Sequence, residues 1–196
     1  MTAKTPGSPD RPGQGGVLVR ELRWSDFDPL RELYYLLYEE RETNPSIGIT
    51  LHGSRPSLAD EVAWFQGMYR AALTGSTVVS VAERNGLVVG SCAVNRVGTS
   101  PTSESAHVGE LGILVHRDHR GQGVGTALLE HSLRQCRGKF EVVQLSVFSV
   151  NAGARRLYER LGFRYLGTRP RHVRRGDRYY DEDLLTLDLP RASDSP

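Results

Sequence analysis

The chain has 196 residues, 38% hydrophobic and 24% charged, with a formal net charge of +2 at pH 7. That length suits a single domain whose core closes without disulfide or metal support, and so small a charge gives no argument by itself for a nucleic-acid or membrane surface. The two cysteines, Cys92 and Cys136, each lie in an apolar periodic stretch and read as buried reduced thiols. No apolar run approaches a membrane span, the N-terminus lacks the apolar core of a secretion signal, and the expected compartment is cytoplasmic.

Residues 1–16 (MTAKTPGSPDRPGQGG) offer almost nothing to bury and are expected to form a disordered tail. Residues 191–196 read the same way, leaving one domain over 17–190. Val17–Arg23 reads as a first strand. Ser25 with Asp28 resembles a helix cap, and Leu30, Leu33, Tyr34, Leu37 and Tyr38 then mark one face of a helix that ends at Asn44-Pro45. Ser57 with Asp60 opens a second helix, which ends near Gly75. Thr77–Glu83, Asn85-Gly86 and Leu87–Val97 give a hairpin with a type I′ turn. His107–Val115 is nearly all apolar and reads as a strand covered on both faces. A helix carrying Leu128, Leu129, Leu133 and Cys136 follows and closes at Gly138. Glu141–Phe148 is a further covered strand, Ala152–Leu161 a short helix, and Phe163–Gly167 with Tyr179–Leu189 a final strand pair. The order β-α-α-β-β-β-α-β-α-β-β implies an α/β fold, a mixed sheet with helices on both faces.

The sharpest local feature lies between the strand ending at Val115 and the next helix: Arg120-Gly121-Gln122-Gly123-Val124-Gly125, followed by Thr126. Glycines allow positive φ and close approach of a ligand to the backbone. A helix N-terminus adds unpaired N–H groups and partial positive charge, so the segment fits a pyrophosphate, with Arg120 as a charged donor. A P-loop would need Gly-Lys-Ser/Thr, and here the run is Gly-Val-Gly-Thr. A Rossmann turn needs GxGxxG, which fails from both Gly121 and Gly123.

What remains is an Arg-x-x-Gly-x-Gly pattern, and Val115–Leu129 around it closely resembles the phosphinothricin-type acetyltransferases of the GNAT superfamily. Asn151, Ala154, Leu157, Tyr158 and Leu161-Gly162-Phe163 are similar to that superfamily's second motif, in the same order and at the same distance. The resemblance covers 17–189 in element order and 107–165 at motif strength. It implies a GNAT fold, a mixed and mostly antiparallel sheet with a splayed central strand. It implies acetyl-CoA as co-substrate, no metal, and transfer of acetyl to a primary amine. It also implies that the backbone of Ile113, Leu114 and Val115 binds pantetheine and the thioester oxygen. Asn151 would bond the pantetheine arm, and Tyr158 would protonate the departing thiolate. Relatives of the phosphinothricin type often carry histidine at that last position. A homodimer is also within the family's habit.

Glu110 is the sole charged residue in the strand His107–Val115. A carboxylate among apolar neighbours tends to have a raised pKa, which suits a general base for an ammonium of pKa ~10; the alternative is a solvated carboxylate at the strand's wet end. Tyr158 reads equally as a core aromatic beside Leu157 and Leu161, and Asn151 as a helix cap.

In the superfamily the acceptor site is walled by the first two helices with their loop and by the last strand pair, here 34–56 and 167–183. Tyr34, Tyr35, Tyr38, His52, Tyr179, Tyr180 and Asp181 are the candidate wall residues. Arg169, Arg171, Arg174, Arg175 and Arg178 form a basic run, either a solvated hairpin or an anchor for an acidic group on the acceptor. The acceptor reads as an amino-acid-like small molecule or a peptide N-terminus. A CoA-binding or RNA-associated module without turnover is the competing class, and no second basic patch with interleaved aromatics supports RNA.

Overall fold

The computed structural model describes residues 16–44, 51, 53–98 and 100–190. Seven strands form one sheet: β1 (Leu18–Glu21), β2 (Thr77–Arg84), β3 (Leu87–Arg96), β4 (Val108–Val115), β5 (Val142–Phe148), β6 (Arg164–Arg175) and β7 (Arg178–Asp188). They lie in the order β1-β2-β3-β4-β5-β7-β6. All neighbours are antiparallel except β4 and β5. Four helices flank the sheet: α1 (Phe27–Thr43), α2 (Leu58–Leu73), α3 (Val124–Cys136) and α4 (Ala152–Arg160). The element order is the expected one, and no helix among the described residues is long and apolar enough to cross a membrane.

Strand periodicity divides the core between the two faces. On one face Leu30 of α1 and Phe65 of α2 meet Val81 of β2; on the other Val78, Ala82, Cys92, Val94, Leu111, Val143 and Leu145 pack with Leu128, Leu129 and Cys136 of α3 and Tyr158 of α4. The β2–β3 turn uses Asn85 and Gly86 at φ 52° and 78°, the two positive values a type I′ turn requires.

Three local expectations change, and a fourth is not reached. Asp26, not Ser25, organises the entry to α1: its buried carboxylate accepts from the Arg23 N–H at 2.7 Å and from both terminal nitrogens of Arg20, and this turn stops β1 two residues early. The strand β4 is not covered on both faces. Gly109 and Leu111 are buried while Glu110 and Gly112 are exposed, because α1 packs on β3 and α2 on β2. The stretch 168–178 is no loose connection. It extends β6 to Arg175, with irregular register between Arg169 and Val173. His52 lies outside the described residues.

Gly109 is demanded by packing. A Cβ there would stand 2.5 Å from Val94 Cγ1 and 3.2 Å from the Phe140 ring, so Gly109→Ala is expected to destabilise the domain by about 1–3 kcal/mol. Denaturant titration would read this as a lower midpoint at unchanged slope.

Candidate active site

β4 and β5 pair in parallel only from Val108↔Val142 to Glu110↔Gln144. Beyond that point each strand stays with its other neighbour, β4 with β3 as far as Gly90↔Val115 and β5 with β7 as far as Phe148↔Glu182. The two therefore part, leaving unpaired edges inside the sheet. His116 donates its N–H to Val89 and Val97 donates to Val108. Backbone groups alternate between strand edges, so Leu114 bonds toward β3 while Leu111, Ile113 and Val115 face the gap. Of the three residues expected to offer amides, Ile113 and Val115 are placed to do so and Leu114 is not.

At the open end of this gap the chain enters the glycine turn. Gly121 and Gly123 take φ of 71° and 83°, and Gly123 caps α3 without a side chain. Ala127 is the first residue to donate back, to the Gly123 carbonyl, so the amides of Val124, Gly125 and Thr126 have no intrahelical acceptor. The gap and the turn open into one cleft of about 460 Å³. Ile113, Val115, Gly121, Gly123, Gly125 and Thr126 line one side; Asn151, Ala154, Leu157, Tyr158 and Arg160 line the other. A Cβ on Gly125 would stand 3.3 Å from Leu157 Cδ2, so any side chain there narrows the passage.

The side chains of the turn behave differently from expectation. Arg120 also lines the cleft, but its guanidinium grips Glu40 of α1 through two bonds of 2.5 and 2.7 Å, and its Nε donates to the Val115 carbonyl at 2.9 Å. Gln122 points away: its amide donates to Asp118 O at 2.7 Å and its oxygen accepts from Arg84. The side chain of Val124 is buried in the core. Gln122 and Val124 thus turn their side chains away from the cleft, while Arg120 stays on its wall.

Tyr158 is 6% exposed and meets Phe163 edge-on at 5.8 Å. Burial, and secondarily Cys92 beneath it, pushes its phenol up, so the group is protonated at neutral pH. Packing and a place on the cleft wall thus belong to the same side chain. Asn151 accepts from the Ala154 N–H at 3.1 Å and caps α4, fixing the helix that carries Tyr158.

Beneath that turn lies a centre that the sequence reading missed. Asp183, on β7 and 2% exposed, accepts from Ser149 at 2.7 Å, Thr168 at 2.7 Å and Arg155 at 2.8 Å. It joins the β5–α4 turn, α4 and β6 at one carboxylate. Its signal was an acid at a covered period-2 position in Asp181-Glu182-Asp183-Leu184-Leu185. Arg160 on the cleft wall was missed as well, being one of several basic residues on a short helix.

On the opposite face of the sheet Glu110 is exposed and not set among apolar neighbours as expected; its place there makes it a candidate base. Tyr180 stacks on Phe148 with centroids 5.5 Å apart, and Arg175 lies 4.8 Å over the Phe148 ring. Tyr34 and Tyr38 meet edge-on at 5.6 Å, with Arg41 over the Tyr38 ring at 5.0 Å. Tyr35 is turned outward: its ring lies under Arg55 at 4.0 Å and its hydroxyl donates to Pro56 O at 3.2 Å, so it latches the connection into α2. Asp181 Oδ1 accepts the Arg171 N–H at 2.7 Å, where Arg171 has φ of 52°, and so holds the β6 irregularity.

A family model described as "Acetyltransferase (GNAT) family" matches residues 30–163. The chain belongs to the GNAT acetyltransferase family. It is 52% identical over 54 residues to N-alpha-acetyltransferase 40 of Saccharomyces cerevisiae, a match covering 23% of this chain and 19% of that protein. Against the L-methionine sulfoximine/L-methionine sulfone acetyltransferase of Pseudomonas paraeruginosa it is 26% identical over 140 residues, 71% of this chain and 78% of the other. The phosphinothricin acetyltransferase of Sinorhizobium meliloti, solved in complex with AcCoA, superposes with a TM-score of 0.74 at 20% identity, covering 92% of each chain. That likeness establishes the GNAT fold, with the splayed strand as its distinguishing feature.

In this GNAT domain the wall bearing Tyr158 depends on the charge of Asp183. Burial alone would raise its pKa, but the hydroxyls of Thr168 and Ser149 and the Arg155 guanidinium outweigh it and hold the carboxyl below its ordinary value. A depressed folded pKa contributes stability above the unfolded value near ~4, lost as pH falls through the folded one. Asp183→Asn is expected to cost about 3 kcal/mol at neutral pH and to flatten the stability profile below that pH, as read by thermal melts across an acid series.

Proposed function

We propose that this chain transfers the acetyl group of acetyl-CoA to the primary amine of an amino-acid-like acceptor, by direct attack within a ternary complex. The observation that carries this reading is the continuity of the parted β4 edge, the glycine turn and Tyr158 in one cleft. The donors present suit such a co-substrate. Unpaired amides at the start of α3 fit a pyrophosphate, the edge amides of Ile113 and Val115 fit an amide-bearing arm, and Arg160 adds positive charge. Acetyl-CoA supplies an activated thioester acyl group.

Glu110, on the other face of the sheet, takes the proton that the ammonium must lose before it is nucleophilic. The edge N–H groups of Ile113 and Val115 stabilise the oxyanion that develops on the carbonyl. Tyr158, kept protonated by burial, gives its proton to the leaving sulfur. Guanidiniums on the β6–β7 hairpin favour an acceptor with a carboxylate beside its amine, since arginine forks match that group. The Pseudomonas relative, matched over most of both chains and named for acetylating methionine derivatives, supports the same acceptor class.

Glu110→Gln should lower kcat roughly a hundredfold, with the deficit shrinking at high pH where the amine deprotonates unaided, and should leave acetyl-CoA affinity unchanged. A loss constant with pH would assign Glu110 a structural role. Between an amino acid and its decarboxylated amine, thiol-release assays should favour the amino acid and lose that preference in Arg171→Ala/Arg174→Ala/Arg175→Ala; an unchanged preference for the simple amine would remove the acceptor assignment.

A further inference from the structure

Arg120 bonds through all three of its nitrogens. Its two terminal nitrogens take both oxygens of Glu40, whose side chain is 11% exposed, and its Nε takes the carbonyl of Val115. Three pieces of chain meet at this guanidinium: the last turns of α1, the end of β4 where it has left β5, and the residue before Gly121. A bidentate fork fixes orientation as well as distance. The buried partner is the Glu40 carboxylate, so loss of the fork leaves a desolvated acceptor unmatched.

We propose that Glu40 is a positioning residue for the cofactor turn. By holding Arg120 it sets the placement of the amides from Gly121 to Thr126, and it ties that placement to α1. The inference rests on reading the cleft as the acetyl-CoA site. Glu40 shares its helix with Tyr34, Tyr38 and Arg41, which belong to the acceptor side, so the same ion pair is a physical link between the two halves of a ternary complex. Such a link is reciprocal: whatever steadies α1 tightens the turn, and whatever fills the turn steadies α1.

The test uses coenzyme A, titrated by calorimetry into the full chain. Asp26→Asn serves as control, because Arg20–Asp26 is also a bidentate pair, more deeply buried than Arg120–Glu40 and at the other end of α1. Glu40→Gln is expected to weaken coenzyme A about tenfold and to speed amide hydrogen exchange across Gly121–Thr126. Glu40→Asp should recover part of the loss. Asp26→Asn should lower Tm while keeping the wild-type Kd within about twofold. Should Glu40→Gln fail to fold, Arg120→Lys, which keeps the charge but loses the fork and the Val115 bond, is expected to show the same weakening and the same faster exchange. Wild-type affinity in both Glu40→Gln and Arg120→Lys would overturn the proposal, as would an equal loss in Asp26→Asn. Failure of the wild-type chain to bind coenzyme A would instead strike the reading of the cleft itself.

Discussion

The structure depends on the parting of β4 from β5 after Glu110↔Gln144. Inside a sheet, unpaired backbone groups are costly unless something else bonds them. Here the cost is confined to one short edge, because β4 keeps β3 and β5 keeps β7 as partners to their ends. The same parting turns the edge amides of Ile113 and Val115 into donors and admits a cleft between α3 and α4. In the proposed reading, one face of the sheet holds the acyl donor while the other receives the acceptor.

Three buried carboxylates hold the segments that this opening would otherwise loosen. Asp26 ties the entry of α1 to β1 through Arg20, Glu40 ties the end of α1 to the glycine turn through Arg120, and Asp183 ties α4 and its leading turn to β6 and β7. Each makes a bond no longer than 2.7 Å, and each pins a short irregular stretch that no regular pairing could fix. A hydrophobic contact would supply burial at these places without orientation. The pairs at Glu40 and Asp183 supply the geometry the cleft needs, and the pair at Asp26 fixes the far end of α1.

The fold was legible in the sequence because its signals are local. Apolar periodicity, the Asn85-Gly86 turn and the Gly121–Gly125 run each act within a few residues. The glycine turn and Asn151 could be read because backbone conformation and a helix cap are sequence-near properties. Glu110 was legible as a position but not as an environment, since which face of β4 remains uncovered depends on where α1 and α2 stop. Glu40 and Asp183 were illegible. Their partners are 80 residues away in one case and 15, 28 and 34 in the other, and nothing in a charged helix or strand announces which of its acids is buried. Tyr35 and Tyr180 belong to the same kind of problem: Tyr34 and Tyr35 point different ways on α1, and Tyr180 finds its partner, Phe148, only across the sheet.

The parted edge of β4 and the glycine turn are proposed to form a single binding track. Backbone-amide chemical shifts of isotopically labelled protein, followed during titration with acetyl-CoA, test it most directly. The account predicts saturable shifts at Ile113, Val115 and Gly123–Thr126, with a smaller response at Asn151 and little at Leu114. Saturable binding whose shifts fall elsewhere, with Ile113 and Val115 unmoved, would contradict it.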